Sequence, residues 1–114
     1  MKLDKAALIP CSQSSSALSK DEINELLNEL NNWFLMPDKG IHIISKHFTF
    51  KNYLSAIEFA NSVASLAEQE NHHPRICIEW GKVTIDWWTH IINGLFINDF
   101  IMAARCDRIF SELK

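Results

Sequence analysis

Glycine is scarce in this 114-residue chain, at three residues, and proline and cysteine also number three each. So few glycines exclude the Gly-rich loops that cradle phosphates. The cysteines, Cys11, Cys77 and Cys106, are odd in number, far apart and form no CxxC pair. They read as reduced thiols and point to a cytoplasmic protein rather than a disulfide framework. There is no basic excess: 11 Lys+Arg stand against 14 Asp+Glu, a formal net charge of -3. Binding to nucleic acid or an anionic membrane needs clustered positive charge, so neither is expected. The most apolar stretch, Ile91 to Ala104, is broken by Asn93, Asn98 and Asp99 and falls short of the ~20 residues that span a bilayer. Cys11 ends a run resembling a lipoprotein box, but no apolar segment precedes it, so no such signal is expected. GxSxG and HExxH are also missing.

What is present describes one small globular domain, 47% hydrophobic and 22% charged. A chain of this size buries roughly two-thirds of its unfolded surface around a single core. Residues 1–18, with the polar run Ser12 to Ser16, read as a mobile or loosely packed arm, and 19–114 as the domain. Ser19 to Glu22 is a capping box, followed by Ile23, Leu26, Leu27 and Leu30 on one helical stripe that Asn31 and Asn32 close. Trp33 to Met36 and Ile41 to Phe50 predict a hairpin across a Pro37–Gly40 turn. Asn52 caps a second helix to about Gln69, whose Ala56, Ile57, Ala60, Val63, Ala64 and Ala67 share a face. Pro74 prevents that helix from continuing.

Ile76, Ile78 and Trp80 alternate with polar residues, as do Val83, Ile85 and Trp87 after a Gly81-Lys82 turn. Asn98 or Asp99 opens a last helix with Met102, Cys106, Ile109, Phe110 and Leu113 on one stripe. The order α-β-β-α-β-β-α implies an α+β domain: a four-stranded antiparallel sheet with helices packed on one face. The other face must be polar, ligand-bearing or covered by a partner.

The titratable residues concentrate around the end of the second helix and beyond it: Glu68, Glu70, His72, His73, His90 and Asp99. Singly, each has an ordinary reading as a surface histidine or a helix-start carboxylate. Together, converging histidines can run paired general acid and base steps near neutral pH, with a carboxylate fixing a tautomer. Three His and one Asp are also legitimate zinc or iron ligands, although no compact metal-ligand spacing is present. His42 and His47 sit within a strand and read as structural or surface residues.

The run Glu68-x3-His72-His73-Pro74-x5-Trp80-x9-His90-x8-Asp99 resembles the signature of the pterin-4a-carbinolamine dehydratases, known in animals also as the dimerisation cofactor of a homeodomain transcription factor. The resemblance extends from about Ser19 to Leu113 and includes Trp33, Phe48-Thr49-Phe50, Thr89-His90 and Gly94-Leu95. Glu79 to Thr84 and Asn98 to Arg105 look most similar to bacterial members associated with phenylalanine hydroxylase. The chain departs from the pattern at Asn93, where the family often has glycine, and in having Cys11 alone where relatives can carry a CxxC.

The resemblance implies dehydration of 4a-hydroxytetrahydropterin to quinonoid dihydropterin, which recycles the cofactor of aromatic amino-acid hydroxylases. It implies a hydro-lyase needing no metal and no redox cofactor, and a homodimer or homotetramer. His72 and His90 are then the acid/base candidates, His73 positions substrate, and Glu68 and Asp99 orient the imidazoles. Trp33 or Trp80 would flank the pterin, although Trp80 shares its strand face with Ile76 and Ile78 and so also reads as core. The alternative function is a non-catalytic module that binds another protein, as a transcriptional coactivator does.

Overall fold

A computed structural model describes residues 3–113. Three helices, α1 (Lys20–Leu27), α2 (Tyr53–Glu70) and α3 (Ile97–Glu112), accompany four strands: β1 (Phe34–Asp38), β2 (Ile41–Thr49), β3 (Arg75–Glu79) and β4 (Lys82–Trp87). The strands form one antiparallel sheet in the order β1-β2-β4-β3. The fold is the α+β arrangement expected from the order of the elements.

Local chemistry explains most element ends. Ser19 Oγ accepts from the Glu22 N–H at 3.2 Å, and Glu22 Oε1 accepts from the Ser19 N–H at 2.9 Å, so the capping box opens α1 as expected. α1 stops earlier than its apolar stripe suggested. Beyond Leu27 the Glu29 and Leu30 N–H groups bond to carbonyls three residues back, and Asn32 turns the chain with φ 65°. Leu30 still packs on the core, but from this tightened turn.

The β1–β2 turn is also tighter than the expected Pro37–Gly40. Asp38 pairs with Ile41, leaving Lys39 (φ 53°) and Gly40 (φ 85°) as a two-residue connection with positive φ at both positions. Pro37 stays within β1, which is possible because β1 is an edge strand and needs no donor on its outer side.

The core lies between the sheet and the pair α2 and α3. Ile44 and Phe48 of β2 and Val83, Ile85 and Trp87 of β4 are buried against Ala56, Phe59 and Val63 of α2 and Phe100, Met102 and Cys106 of α3. Phe48 makes ring contacts with Phe59 at 4.6 Å and Phe110 at 5.1 Å. Such aromatic pairs add about 0.5–1.5 kcal/mol each beyond burial. The helical stripes are partly redrawn: Phe59 is buried in α2 whereas Ala64 is exposed, and Leu113 is exposed after α3.

Trp80 is not in the core. It sits in the β3–β4 turn, beyond the end of edge strand β3, and is 75% exposed. On the face opposite the helices, Arg75 bridges Asp38 and Asp86, each at 2.9 Å, beneath Trp88. The hydrogen bonds that Arg75 donates to Asp86 and Asp38 raise its pKa above the usual value.

The N-terminal arm is packed rather than loose. Leu3 is buried within a 3₁₀ turn, Leu3–Lys5, that lies on α3, and Ala6, Leu8 and Leu18 pack against the core. These apolar residues flank the polar run Ser12 to Ser16. No helix among the described residues is long and apolar enough to cross a membrane.

Burial pushes the Cys106 thiol up to about 12, while Cys77 is exposed and Cys11 partly so. At about pH 8.5, where an ordinary thiol is half ionised, a thiol reagent should label Cys11 and Cys77 within minutes. Cys106 should react only on unfolding, a pattern that peptide mass spectrometry reads directly.

Candidate active site

The end of α2 aims two of the histidines. Asn71 adopts φ 51° and ψ 43°, and the His72 N–H returns to the Ala67 carbonyl at 3.1 Å. This Schellman closure ends the helix in a fixed direction, and Pro74 commits the chain to leave it. His72 then turns inward while His73 stays at the surface.

His72 Nε2 lies 2.6 Å from Asp99 Oδ1. Asp99 is fully buried and its second oxygen accepts from Thr89 Oγ1 at 2.7 Å and from the Phe96 N–H at 2.9 Å. Asp99 is therefore the third residue of α3, with Phe96 at the cap position, and not itself the cap. Its carboxylate satisfies an orphan N–H of the first turn at the positive end of the helix. It also sets the His72 tautomer: a carboxylate only accepts, so Nε2 carries the proton and Nδ1 keeps the lone pair. The His72 ring lies parallel to buried Trp87, with centroids 5.5 Å apart.

His90 arrives from the other side of the sheet layer. After β4, Thr89 and Gly94 form an isolated bridge that encloses a 3₁₀ turn, His90–Ile92. Asn93 closes it in the left-handed region, φ 50° and ψ 48°. Asparagine tolerates that conformation, so the turn closes without a glycine at this position. His90 Nε2 sits 3.3 Å from the His73 carbonyl, which only accepts, leaving Nδ1 of a neutral ring as the acceptor. The His90 ring leans on Trp88 at 4.5 Å.

One cavity of about 680 Å³ collects these groups, with His72, His73, His90, Thr89, Glu70 and Asn98 on its polar side. Leu8, Ile9, Pro10 and Ile91 supply its apolar side. The volume suits a small bicyclic ligand. Glu68 does not line it: its carboxylate pairs with His73 Nε2 on the exposed surface of α2. Both groups are mostly in water, so the pair adds little stability. Among the described residues no three His, Cys, Asp or Glu side chains are grouped to hold a metal ion.

Neither tryptophan proposed to flank substrate lines the cavity. Trp33 is buried edge-on to Phe48, and its Nε1–H donates to Asp107 at 3.0 Å beside Lys46. Burial raises the Asp107 carboxyl above the usual range, opposed by its bonds to Lys46 and Trp33. Sequence reasoning gave no site role to Thr89, to Asn98, to Arg105, which pairs with Glu70 at 2.8 Å, or to the arm residues 8–11. Thr89 had a signal, since it immediately precedes His90, and Glu70 belonged to the titratable cluster. The arm residues carried none.

The chain is thus a small α+β domain with an antiparallel sheet covered on one face and a cavity at one end that gathers three histidines beside a buried carboxylate. The family model described as pterin 4 alpha carbinolamine dehydratase matches residues 16–109, and the chain belongs to that family. A Vibrio vulnificus protein provisionally named pterin-4-alpha-carbinolamine dehydratase is 51% identical, over 94% of this chain and 97% of its own. One of the same name from Chlorobium luteolum is 45% identical over 98% of both. The crystal structure of a transcriptional coactivator/pterin dehydratase from Brucella melitensis is similar at TM-score 0.74 and 31% identity, covering 82% of this chain and 98% of that one. A pterin dehydratase-like RuBisCO assembly factor of the α-carboxysome shares the fold, at TM-score 0.59 and 24% identity, over 69% and 89% of the two chains.

Removing the Asp99 carboxylate leaves the Thr89 hydroxyl, the Phe96 N–H and the His72 N–H without their acceptor. Each buried group left unpaired costs about 1–3 kcal/mol. Asp99→Ala should therefore lower the unfolding free energy by about 3 kcal/mol or more in urea titration, and Asp99→Asn, which keeps one acceptor oxygen, by less.

Proposed function

We propose that the protein dehydrates 4a-hydroxytetrahydropterin to quinonoid dihydropterin by histidine acid–base catalysis. The observation that carries this reading is the convergence of His72, His73 and His90 on one cavity, with His72 held by buried Asp99. In the reaction the bond from C4a to the hydroxyl oxygen breaks as the adjacent ring nitrogen's lone pair forms a C=N bond. A proton is delivered to the departing oxygen, which leaves as water, and the ring nitrogen gives up its own proton. Net proton count is unchanged, so an acid and a base suffice.

His72 and His90 are the proton-transfer pair and His73 positions the substrate. His72 is built for either half of the task. With Nε2–H donated to Asp99, its Nδ1 accepts a proton as a base, and the buried carboxylate stabilises the resulting imidazolium, which is then an acid. His90, anchored through Nε2 to the His73 carbonyl, presents Nδ1 in the same way. Glu68 bears on the reaction only through His73.

In this reading the enzyme recycles the cofactor of an aromatic amino-acid hydroxylase, such as phenylalanine hydroxylase, in the cytoplasm, and works as a homodimer or homotetramer. The exposed edge strand β3, with Ile78 on it and Trp80 just beyond, is the surface that association would cover. The same surface supports the second reading, a protein-binding module.

Stopped-flow dehydration of a 4a-hydroxytetrahydropterin separates the two. His72→Ala and His90→Ala should each lower kcat by about 10²-fold or more, while a chelator leaves the wild-type rate intact. Wild-type rates in both variants would remove the histidine mechanism. A wild-type protein that captures a stable protein partner but turns over no pterin would establish the binding module instead.

A further inference from the structure

The arm that reads as a loose leader crosses the mouth of the histidine cavity, and three separate devices hold it there. Asn98, nearly buried at the start of α3, engages both backbone groups of Ile9: its Oδ1 accepts the Ile9 N–H at 2.7 Å and its Nδ2 donates to the Ile9 carbonyl at 2.7 Å. Only a side-chain amide offers a donor and an acceptor in that spacing, which mimics one rung of a β-ladder. Arg105, about two turns further along the same face of α3, donates Nη2 to the Ala6 carbonyl at 2.7 Å and Nη1 to Glu70 at 2.8 Å. Downstream, the Leu18 N–H bonds to the Leu95 carbonyl at 2.8 Å. There Gly94 lets the arm approach: a Cβ at that position would come within 2.8 Å of Ala17 Cβ.

The side chains so positioned face the cavity. Leu8, Ile9 and Pro10 line it, and Ile91 lines it from the turn after β4. Ile9 and Ile91 are each 50% exposed. Large aliphatic side chains fixed in this way, yet open to a cavity, are apolar surface for a ligand to cover. The polar residues of the same cavity are the histidines, Thr89, Asn98, Asn71 and Glu70.

We propose that residues 6–10 are a fixed strap forming the apolar wall of the substrate site, with Asn98 as the positioning residue that holds it. The proposal rests on the pterin reading above and adds how the ring is held. The flat face of the bicyclic heterocycle packs on Ile9 and Ile91, while its reacting edge is turned toward His72 and His90. Because Asn98 and Asp99 are neighbours on the first turn of α3, one helix end sets both the apolar wall and the catalytic imidazole.

The test uses the full chain and two measurements: equilibrium binding of 7,8-dihydrobiopterin, which cannot be dehydrated, and steady-state dehydration of the 4a-hydroxypterin. Ile9→Ala removes half-exposed apolar surface and should raise both the dihydrobiopterin Kd and the KM about 5- to 20-fold, with kcat within about twofold. Asn98→Ala should show the same split, together with faster hydrogen exchange across residues 6–10, and Asn98→Gln should recover part of it.

A general loss of structure would instead lower kcat and accelerate exchange throughout the chain. Ile9→Ala controls for that outcome, because its side chain is not in the core. If wild type is active and both alanine variants keep wild-type Kd and KM, the strap is not a wall of the site and the proposal is overturned. If wild type itself neither binds nor turns over pterin, the pterin reading fails, and the strap's proposed ligand with it.

Discussion

Everything about the site depends on one buried carboxylate. Asp99 accepts from the start of its own helix, from Thr89 beyond β4, and from His72 beyond α2. Three segments distant in sequence are thereby pinned to one point. A fully buried anion is expensive unless each of its lone pairs is used. Here several donors and the positive end of α3 meet that demand. The constraint works in both directions: the donors make the anion tolerable, and the anion holds the donors in place.

The remainder of the fold supplies rigidity around that point. β4 ends on Trp87, whose ring backs His72, and the next residue is Trp88, against which His90 rests. Successive strand residues point to opposite faces, so adjacent tryptophans support two histidines that approach from different sides. The aromatic cluster of Phe48, Phe59 and Phe110 packs α2 and α3 onto the sheet at the helix ends remote from the site. The site is thus assembled from connections whose backbone is restrained: a Schellman closure after α2 and a bridged turn after β4.

Local signals were readable where the physics is local. The Ser19–Glu22 box, the Asn52 cap and the alternation of Val83, Ile85 and Trp87 all rest on bonds or side-chain directions within a few residues. The errors share the opposite character. The α1 stripe runs on to Leu30 although the helix does not, because an apolar residue can reach the core from a turn. Trp80 keeps the phase of a core residue but lies in the exposed turn after β3. Trp33 is spent on Asp107 and the core, a partnership across 74 residues that no local pattern reveals. The arm looked loose because the polar run Ser12 to Ser16 has no periodicity, and the apolar residues that dock the arm lie to either side of it.

By itself the sequence determined the α+β order of elements and the set of residues capable of proton transfer, since periodicity, capping and side-chain pKa are properties of short segments. It also carried the family, through a spaced signature of histidines and carboxylates. Only the tertiary structure decided which of those residues share a cavity. It gave His72 the buried partner and left Glu68 with His73 at the surface. It also placed Leu8, Ile9 and Pro10 at the cavity's apolar side. The physical reason is range: those pairings are closed by packing between segments far apart in the chain, and their cost and gain exist only once the core has brought the segments together.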